Sequence, residues 1–536
     1  VISLGLHHPG ITPAGIGFAS RATLGRMLSR WRDKARHRLT QSATTIAAMT
    51  TQAALKRFGF LAEALNGEGG FKPQVTWEKE VLSTTTQDGQ QLTAIRRVPK
   101  LTDPCHLVPH KREGVENYAA RCALAVYENH LADACDRYLA FLSRRRPMRG
   151  NVEAPLVKLL IENADMRGTK LDAFFFALAW QLKGRGSMLL LLDMPSDGAD
   201  APKSLADQIE RRKVPFLRAI EPELIESYSV DDESGLFTSV TIKCVEEVDG
   251  KPEHCLRTWN AEEWRVKLGD RVIAEGEHPF RQCPLLAVTE SGGMFPVVGR
   301  FAQIADMSCS IYNAASKLDE LLNAQTFSIP TMQVTAEQAA SFDANKMAVV
   351  LGAHNMLIYP GERPDFIAPD AAQAQVHRDV ISDKQAAIKR VSMEESTADA
   401  GSTTESGIAR RMRFERLNAD LASFATQMQG LEQRMWALFH QGLDLPNKVQ
   451  VEWPSDFNLI DTAVELDILA LFQSTGMPDA VLQAKRETIV MAEFDASDDD
   501  TKAELQAALN EYAQQQPQAQ QQPPTAPPGT APATTP

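Results

Sequence analysis

His106 and His110 stand four residues apart, a spacing that on a helix would set two imidazoles on one face for a metal ion. Pro104 and Pro109 break any helix that could carry them, so the stretch reads as a surface loop. Asp193 follows the run MLLLL, where α/β enzymes often place a carboxylate at a strand end. No nucleophile, base or second carboxylate stands at a defined offset from it, and a turn carboxylate explains it as well. Asp498, Asp499 and Asp500 are consecutive and lack the alternating ligands and central glycine of a calcium loop. Arg144, Arg145 and Arg146 precede Pro147 and could meet phosphate or a neighbouring subunit, or simply end a helix in solvent. The GRG at 184–186 stands between a helical pattern and a strand pattern, the reverse of the strand–loop–helix order of a phosphate loop. The sequence therefore predicts no catalytic, metal or cofactor set, and no enzyme.

Composition narrows the classes. The 536 residues exceed one ordinary core, so two to four packed regions are expected. Seven scattered cysteines without a CxxC pair predict a reducing, intracellular setting. A net charge of -13 argues against a surface that grips nucleic acid throughout, but not against one that lets DNA slide past. The longest apolar runs, AFFFALAW and MLLLL, fall short of the roughly 20 residues that span a bilayer, so no stable membrane insertion is expected. The basic stretch Arg21 to Arg38 could lie on an anionic surface or stay solvated.

The patterning predicts one helix over 114–144 with Tyr118, Cys122, Val126, Leu131, Ala134, Tyr138 and Leu142 on a face. A buried helix and a central strand follow over 169–195. Period two takes over at 214–290: Val240 and Ile242 share one side of a strand, and Trp264 and Val266 share one side of another. A helix is expected over 299–325, a short strand near 327–334, a helix over 371–392, and then an exposed Ser/Thr/Glu-rich loop. Ser402 and Glu405 read as a capping box opening a long helix, whose stripe is Leu417, Leu421, Phe424, Met428, Leu431 and Met435. Arg410 and Arg411 lie near its start. A strand at 448–453, two short helices over 462–489 and a Gln/Pro-rich tail that cannot build a core complete the chain.

The order of elements resembles the portal proteins of tailed bacteriophages. Three stretches carry the resemblance: GRGSMLLLLDMP at 184–195, CPLLAVTESGGMFPVVGRFAQIADMSCSIYNAASKLDELL at 283–322, and ESTADAGSTTESGIARRMRFERLNADLASFA at 395–425. It implies a mixed α+β portal fold, with α-helical wing, stem and crown and a small β-rich clip module, assembled as a ring of about twelve subunits around a DNA channel. Expected boundaries are an N-terminal extension, partly disordered (1–80), a wing region (81–168), a wing and first stem region (169–195), the clip (196–290), a second stem helix (291–325), and wing (326–460). The wing would hold the channel loop at about 391–401 and the long helix at 402–440. A crown (461–512) and a disordered tail (513–536) follow.

The same resemblance implies the partners: double-stranded DNA in the channel, the terminase large subunit, a neck or adaptor protein, and major capsid and scaffolding proteins. The particle would assemble in the host cytoplasm and carry the ring at its portal vertex. Lys384, Lys389 and Arg390, just before the loop, are the candidate channel residues, with Arg410 and Arg411 second. The alternatives are another head, neck or ejection protein and, remotely, an α/β enzyme using Asp193.

Overall fold

The computed structural model describes residues 55–85, 91–195, 204–231, 233–326, 329–331, 365–367, 372–393, 407–446, 448–457, 462–493, 501 and 504–512. The basic stretch at 21–38, the capping pair Ser402 and Glu405, the acidic triplet at 498–500 and the Gln/Pro-rich tail lie outside these residues, as does most of the Ser/Thr/Glu-rich loop.

The described helices and strands run α1 (55–66), β1 (Val75–Thr85), β2 (Gln91–Leu101), α2 (Val115–Leu124), α3 (His130–Leu142), β3 (Met148–Gly150), α4 (Pro155–Glu162), α5 (Leu171–Arg185), β4 (Ser187–Asp193) and α6 (Leu205–Glu210). Then come β5 (Phe216–Ile220), β6 (Ile225–Val230), β7 (Phe237–Val248), β8 (Lys251–Trp259), β9 (Glu263–Leu268), β10 (Arg271–Glu277), β11 (Leu285–Thr289) and α7 (Ala302–Thr326). The last are β12 (Ile329–Thr331), β13 (Asp365–Ile367), α8 (Ala372–Val391), α9 (Gly407–Gly442), β14 (Gln450–Glu452), α10 (Thr462–Ser474) and α11 (Asp479–Glu493). Two compact units divide the chain, one of residues 1–137, 150–392 and 430–450, the other of 138–149, 393–429 and 451–536. Their boundary crosses α9 between residues 429 and 430.

In the first unit, β4 is the central strand of an antiparallel sheet ordered β11-β4-β5, and it is buried from Ser187 to Leu192. A continuous apolar run suits a strand covered on both faces. The five-stranded antiparallel sheet β10-β9-β8-β7-β6 shares a core with it. Leu189, Leu191 and Ile220 cluster with Ile225, Phe237, Val240, Ile242 and Trp259, and Trp264 packs against that cluster. Val266 is also buried. The period-two stretch and the leucine strand thus share one packed core.

Two further corrections follow. The stretch 1–80 is not all extension: Phe58, Leu61, Ala64 and Leu65 of α1 are buried, with the Leu65 methyls against Gly184. The single helix over 114–144 is two helices, because Tyr127 leaves the helical path to stack on Phe71, with ring centroids 4.0 Å apart, and donates to the Ala64 carbonyl at 3.1 Å. Asn129 then caps α3 by accepting from the Ala132 N–H. Val126, placed on the apolar face by its spacing, lies in the break and is exposed. The hairpin β1–β2, paired without a shift from Val75 opposite Leu101 to Thr85 opposite Gln91, had no counterpart in the sequence reading.

In the second unit, Tyr138 meets Phe424 and Phe141 meets Phe414 edge to face, at 5.5 and 5.8 Å between centroids. Asn418 accepts from the Phe457 N–H at 2.6 Å and donates to Asp456 Oδ1 at 3.1 Å. Arg145 donates to the Asp456 carbonyl, which gives one arginine of the triplet a role inside the fold. Helices α10 and α11 pair, joined by the Lys485–Glu465 ion pair and turned at Gly476, whose φ is +68°. All six stripe residues of α9, from Leu417 to Met435, are buried.

Candidate nucleic-acid interface

Helices α7 and α8 are the elements that position Lys384, Lys389 and Arg390. They make the most extensive described helix–helix contact and run antiparallel. Arg300, just before α7, donates to the Val391 carbonyl at the end of α8 at 3.2 Å, and Lys384 Nζ lies 2.6 Å from Ser310 Oγ. Further along, Ile329 of β12 opposes Ile367 of β13. Residues 300, 310 and 329 thus pair with residues falling from 391 through 384 to 367, the pattern of one long hairpin. At 25 residues α7 extends about 37 Å, and at 20 residues α8 about 30 Å, at roughly 1.5 Å per residue.

The base of this hairpin is fixed by buried charge. Lys183 at the end of α5 donates to Glu290 at 2.6 Å, and the other carboxylate oxygen of Glu290 accepts from the Arg300 N–H at 3.0 Å. Arg185 meets Glu223 at 2.7 Å. Between them the backbones of Gly186 and Gly299 touch: Gly299 N–H donates to the Arg185 carbonyl at 3.0 Å, and Glu290 N–H to the Gly186 carbonyl at 2.9 Å. Gly186 has φ +93°, and a Cβ there would stand 1.9 Å from the Gly299 nitrogen. Sequence reasoning took GRG as a helix break and missed this joint. The available signal was two cations, Lys183 and Arg185, in the last turn of an otherwise apolar helix, where they need carboxylate partners if buried.

At the same end of the hairpin other charges are exposed. Lys389 and Arg390 are solvent-facing in the last turn of α8, next to Ile388, which is buried. Cations there also complement the helix dipole, by about 0.3–1 kcal/mol at most. Lys384 differs, being half-buried with its ammonium on Ser310 of α7. The sequence-predicted set therefore divides: Lys389 and Arg390 share an exposed end, while Lys384 braces the hairpin. Arg410 and Arg411 fall in the first turns of α9, and their side chains lie outside the described residues.

The remaining chemistry candidates have local roles. His106 Nε2 lies 2.7 Å from Glu63 Oε2, an oxygen that also accepts from the Gly70 N–H, and His110 Nδ1 accepts from the Arg112 N–H. Asn313 of α7 holds the same loop through the Val108 N–H and the His106 carbonyl. Asp193 accepts from the next N–H, that of Met194, and ends a strand with antiparallel neighbours on both sides, unlike the parallel strand ends at which α/β sheets bind ligands. His278 near it donates from Nε2 to the Asn260 carbonyl at 3.0 Å, and burial lowers its proton affinity despite the opposing field of Asp193. Among the described residues no group of three His, Cys, Asp or Glu side chains could hold a metal ion, and no helix is long and apolar enough to cross a membrane.

No family model and no curated protein sequence matches the chain. Among solved structures the chain resembles a phage portal protein and the particles of a gene transfer agent. The first match is to the virion of a native gene transfer agent particle, at 13% identity over 65% of this chain and 86% of that one, with a TM-score of 0.34. The second is to the neck of the empty particle, computed with C6 symmetry, at 14% identity over 64% and 84%, with a TM-score of 0.32. The third is to an HK97-family phage portal protein from Corynebacterium diphtheriae, at 9% identity over 63% and 93%, with a TM-score of 0.33.

Proposed function

We propose that the chain is the subunit of a phage-type portal, a ring through which double-stranded DNA enters and leaves a capsid. The observation that carries this reading is the long antiparallel hairpin of α7 and α8, tipped by the β12–β13 pair and followed directly by the segment that joins α8 to α9. A ring needs an elongated element repeated around its axis, and this hairpin is one. In the proposal α7 and α8 are the stem, and residues 327–371 between them are the clip. The segment 394–406 approaches DNA, and the part after 460 forms the crown. The body holding α5, β4 and the five-stranded sheet belongs to the wing. This proposal puts the clip elsewhere than the 196–290 that the resemblance implied, because that β-rich stretch shares a core with β4.

The electrostatics suit the role. A channel that passes DNA must contact phosphate weakly and repeatedly, since each strong neutralising contact adds to the grip. An acidic chain with Lys389 and Arg390 exposed at one helix end offers two cations per subunit, multiplied by the ring. Closure requires a head-to-tail interface that repeats until it meets itself. The motor that drives packaging would be the terminase large subunit, and the neck or adaptor would dock later at the clip. Native mass spectrometry of the purified chain tests the ring: a species near twelve times 59.0 kDa is expected, and a lone 59.0 kDa monomer at micromolar concentration would reject it.

A further inference from the structure

We propose that Cys244 and Cys255 are a disulfide-forming pair, a modification site that staples β7 to β8. The hairpin between them turns at Asp249 and Gly250, both with positive φ (+53° and +76°), the two-residue turn that fixes register in a twisted ribbon. Pairing then runs without a shift from Val248 opposite Lys251 to Val240 opposite Trp259, which sets Cys244 directly opposite Cys255. Directly opposed residues of an antiparallel pair share a face and have Cα atoms about 4.5–5.5 Å apart. That range lies inside the window of about 4.4–6.8 Å a disulfide requires. The Cys244 side chain already leans onto the facing strand: its Sγ lies 3.5 Å from the backbone carbonyl oxygen of Cys255.

Accessibility sets the order of events. Cys244 is half-buried and Cys255 is 3% exposed, so a small disulfide oxidant such as oxidised glutathione reaches Cys244 first. The Cys244 thiolate attacks one sulfur of the reagent, the reagent's S–S bond breaks, and one glutathione leaves, taking up the proton lost from Cys244. The Cys255 thiolate then attacks the Cys244 sulfur of the mixed disulfide, and the second glutathione leaves with the second proton. Two protein thiols are oxidised, and one glutathione disulfide is reduced to two thiols. In a reducing cytosol the pair stays as thiols, and an oxidising exterior drives it to the disulfide. Burial pushes the Cys244 thiol up to about 11, so exchange is slow at neutral pH. Its rate should rise roughly tenfold per pH unit between about 7 and 9, as the thiolate fraction grows.

The test uses the folded full chain, treated with oxidised glutathione and separately with the smaller hydroxyethyl disulfide, then acid-quenched, alkylated and peptide-mapped. The expected product is a Cys244–Cys255 linked peptide, two hydrogens lighter than the reduced pair, formed with the stated pH dependence. In Cys244→Ser the link is lost and Cys255 remains alkylatable. A stable mixed disulfide on Cys244, or full alkylation of both thiols after both oxidants, would overturn the proposal. The outcome is independent of the ring: either idea can fail while the other stands.

Discussion

Lys183 and Lys389 are both lysines in the last turn of a helix, and their surroundings oppose each other. The side chain of Lys183 is 2% exposed, bound to Glu290 and lying 4.6 Å from the Phe301 ring centre, whereas Lys389 faces solvent. The first belongs to a joint that fixes where α7 begins and α8 ends. The second lies on the surface that the joint presents. The contrast teaches that charge in this chain has two separable settings: buried and paired it sets geometry, exposed it stays in solvent. Substitutions on the two sides should therefore fail in different ways.

The largest effect is expected at Gly186. Alanine there would combine an unfavourable φ with a Cβ driven into the Gly299 backbone, which cannot move without breaking two backbone hydrogen bonds. A loss of about 4–5 kcal/mol, at the exceptional end for one substitution, should appear as a collapsed denaturant midpoint or insoluble protein. Next is Glu290→Ala, which leaves Lys183 buried without its carboxylate and should cost about 3–5 kcal/mol in urea unfolding. The double variant Lys183→Met, Glu290→Leu should recover most of that loss, since it removes the charge rather than orphaning it.

A smaller effect is expected from His278. Its folded-state proton affinity is depressed by burial, so the unfolded chain binds the proton more readily. Its contribution is fully present above the unfolded value of about 6.5 and is lost as pH falls through the lower folded value. Urea midpoints between pH 7 and 5 should therefore decline, and His278→Gln should flatten that decline. Last in stability terms is Lys389→Ala with Arg390→Ala, which should shift unfolding by no more than about 0.5 kcal/mol. In assembled heads the same pair should reduce packaged or retained DNA. Unchanged packaging would remove these two residues from the channel surface and blur the contrast with Lys183.

Legibility from sequence followed the range of the interactions. The stripe from Leu417 to Met435 and the alternation at Val240 and Ile242 were readable because each depends on one element's own period. The two short helices after 462 were readable because Gly476 and Pro478 punctuate them. Longer-range features were not. Tyr127 breaks the helix at 125–129 only because Phe71 and the Ala64 carbonyl are there to receive it. The β1–β2 hairpin carries Trp77, Val81 and Ile95 exposed, so its strands lack the inward apolar alternation that signals a half-buried sheet. The α7–α8 pairing rests on Arg300 and Lys384, polar contacts across 91 and 74 residues of chain that no local pattern encodes. Period two was a clear strand signal at 214–290, but it could not say that this sheet packs on the leucine strand instead of projecting from it.

The most direct test is cryogenic electron microscopy of the purified 536-residue chain. The account predicts closed rings whose axial opening, at least about 20 Å wide, is lined by α7 and α8, with the Lys389 end turned toward the passage. Particles without an opening, or rings in which that helical hairpin faces outward, would contradict it.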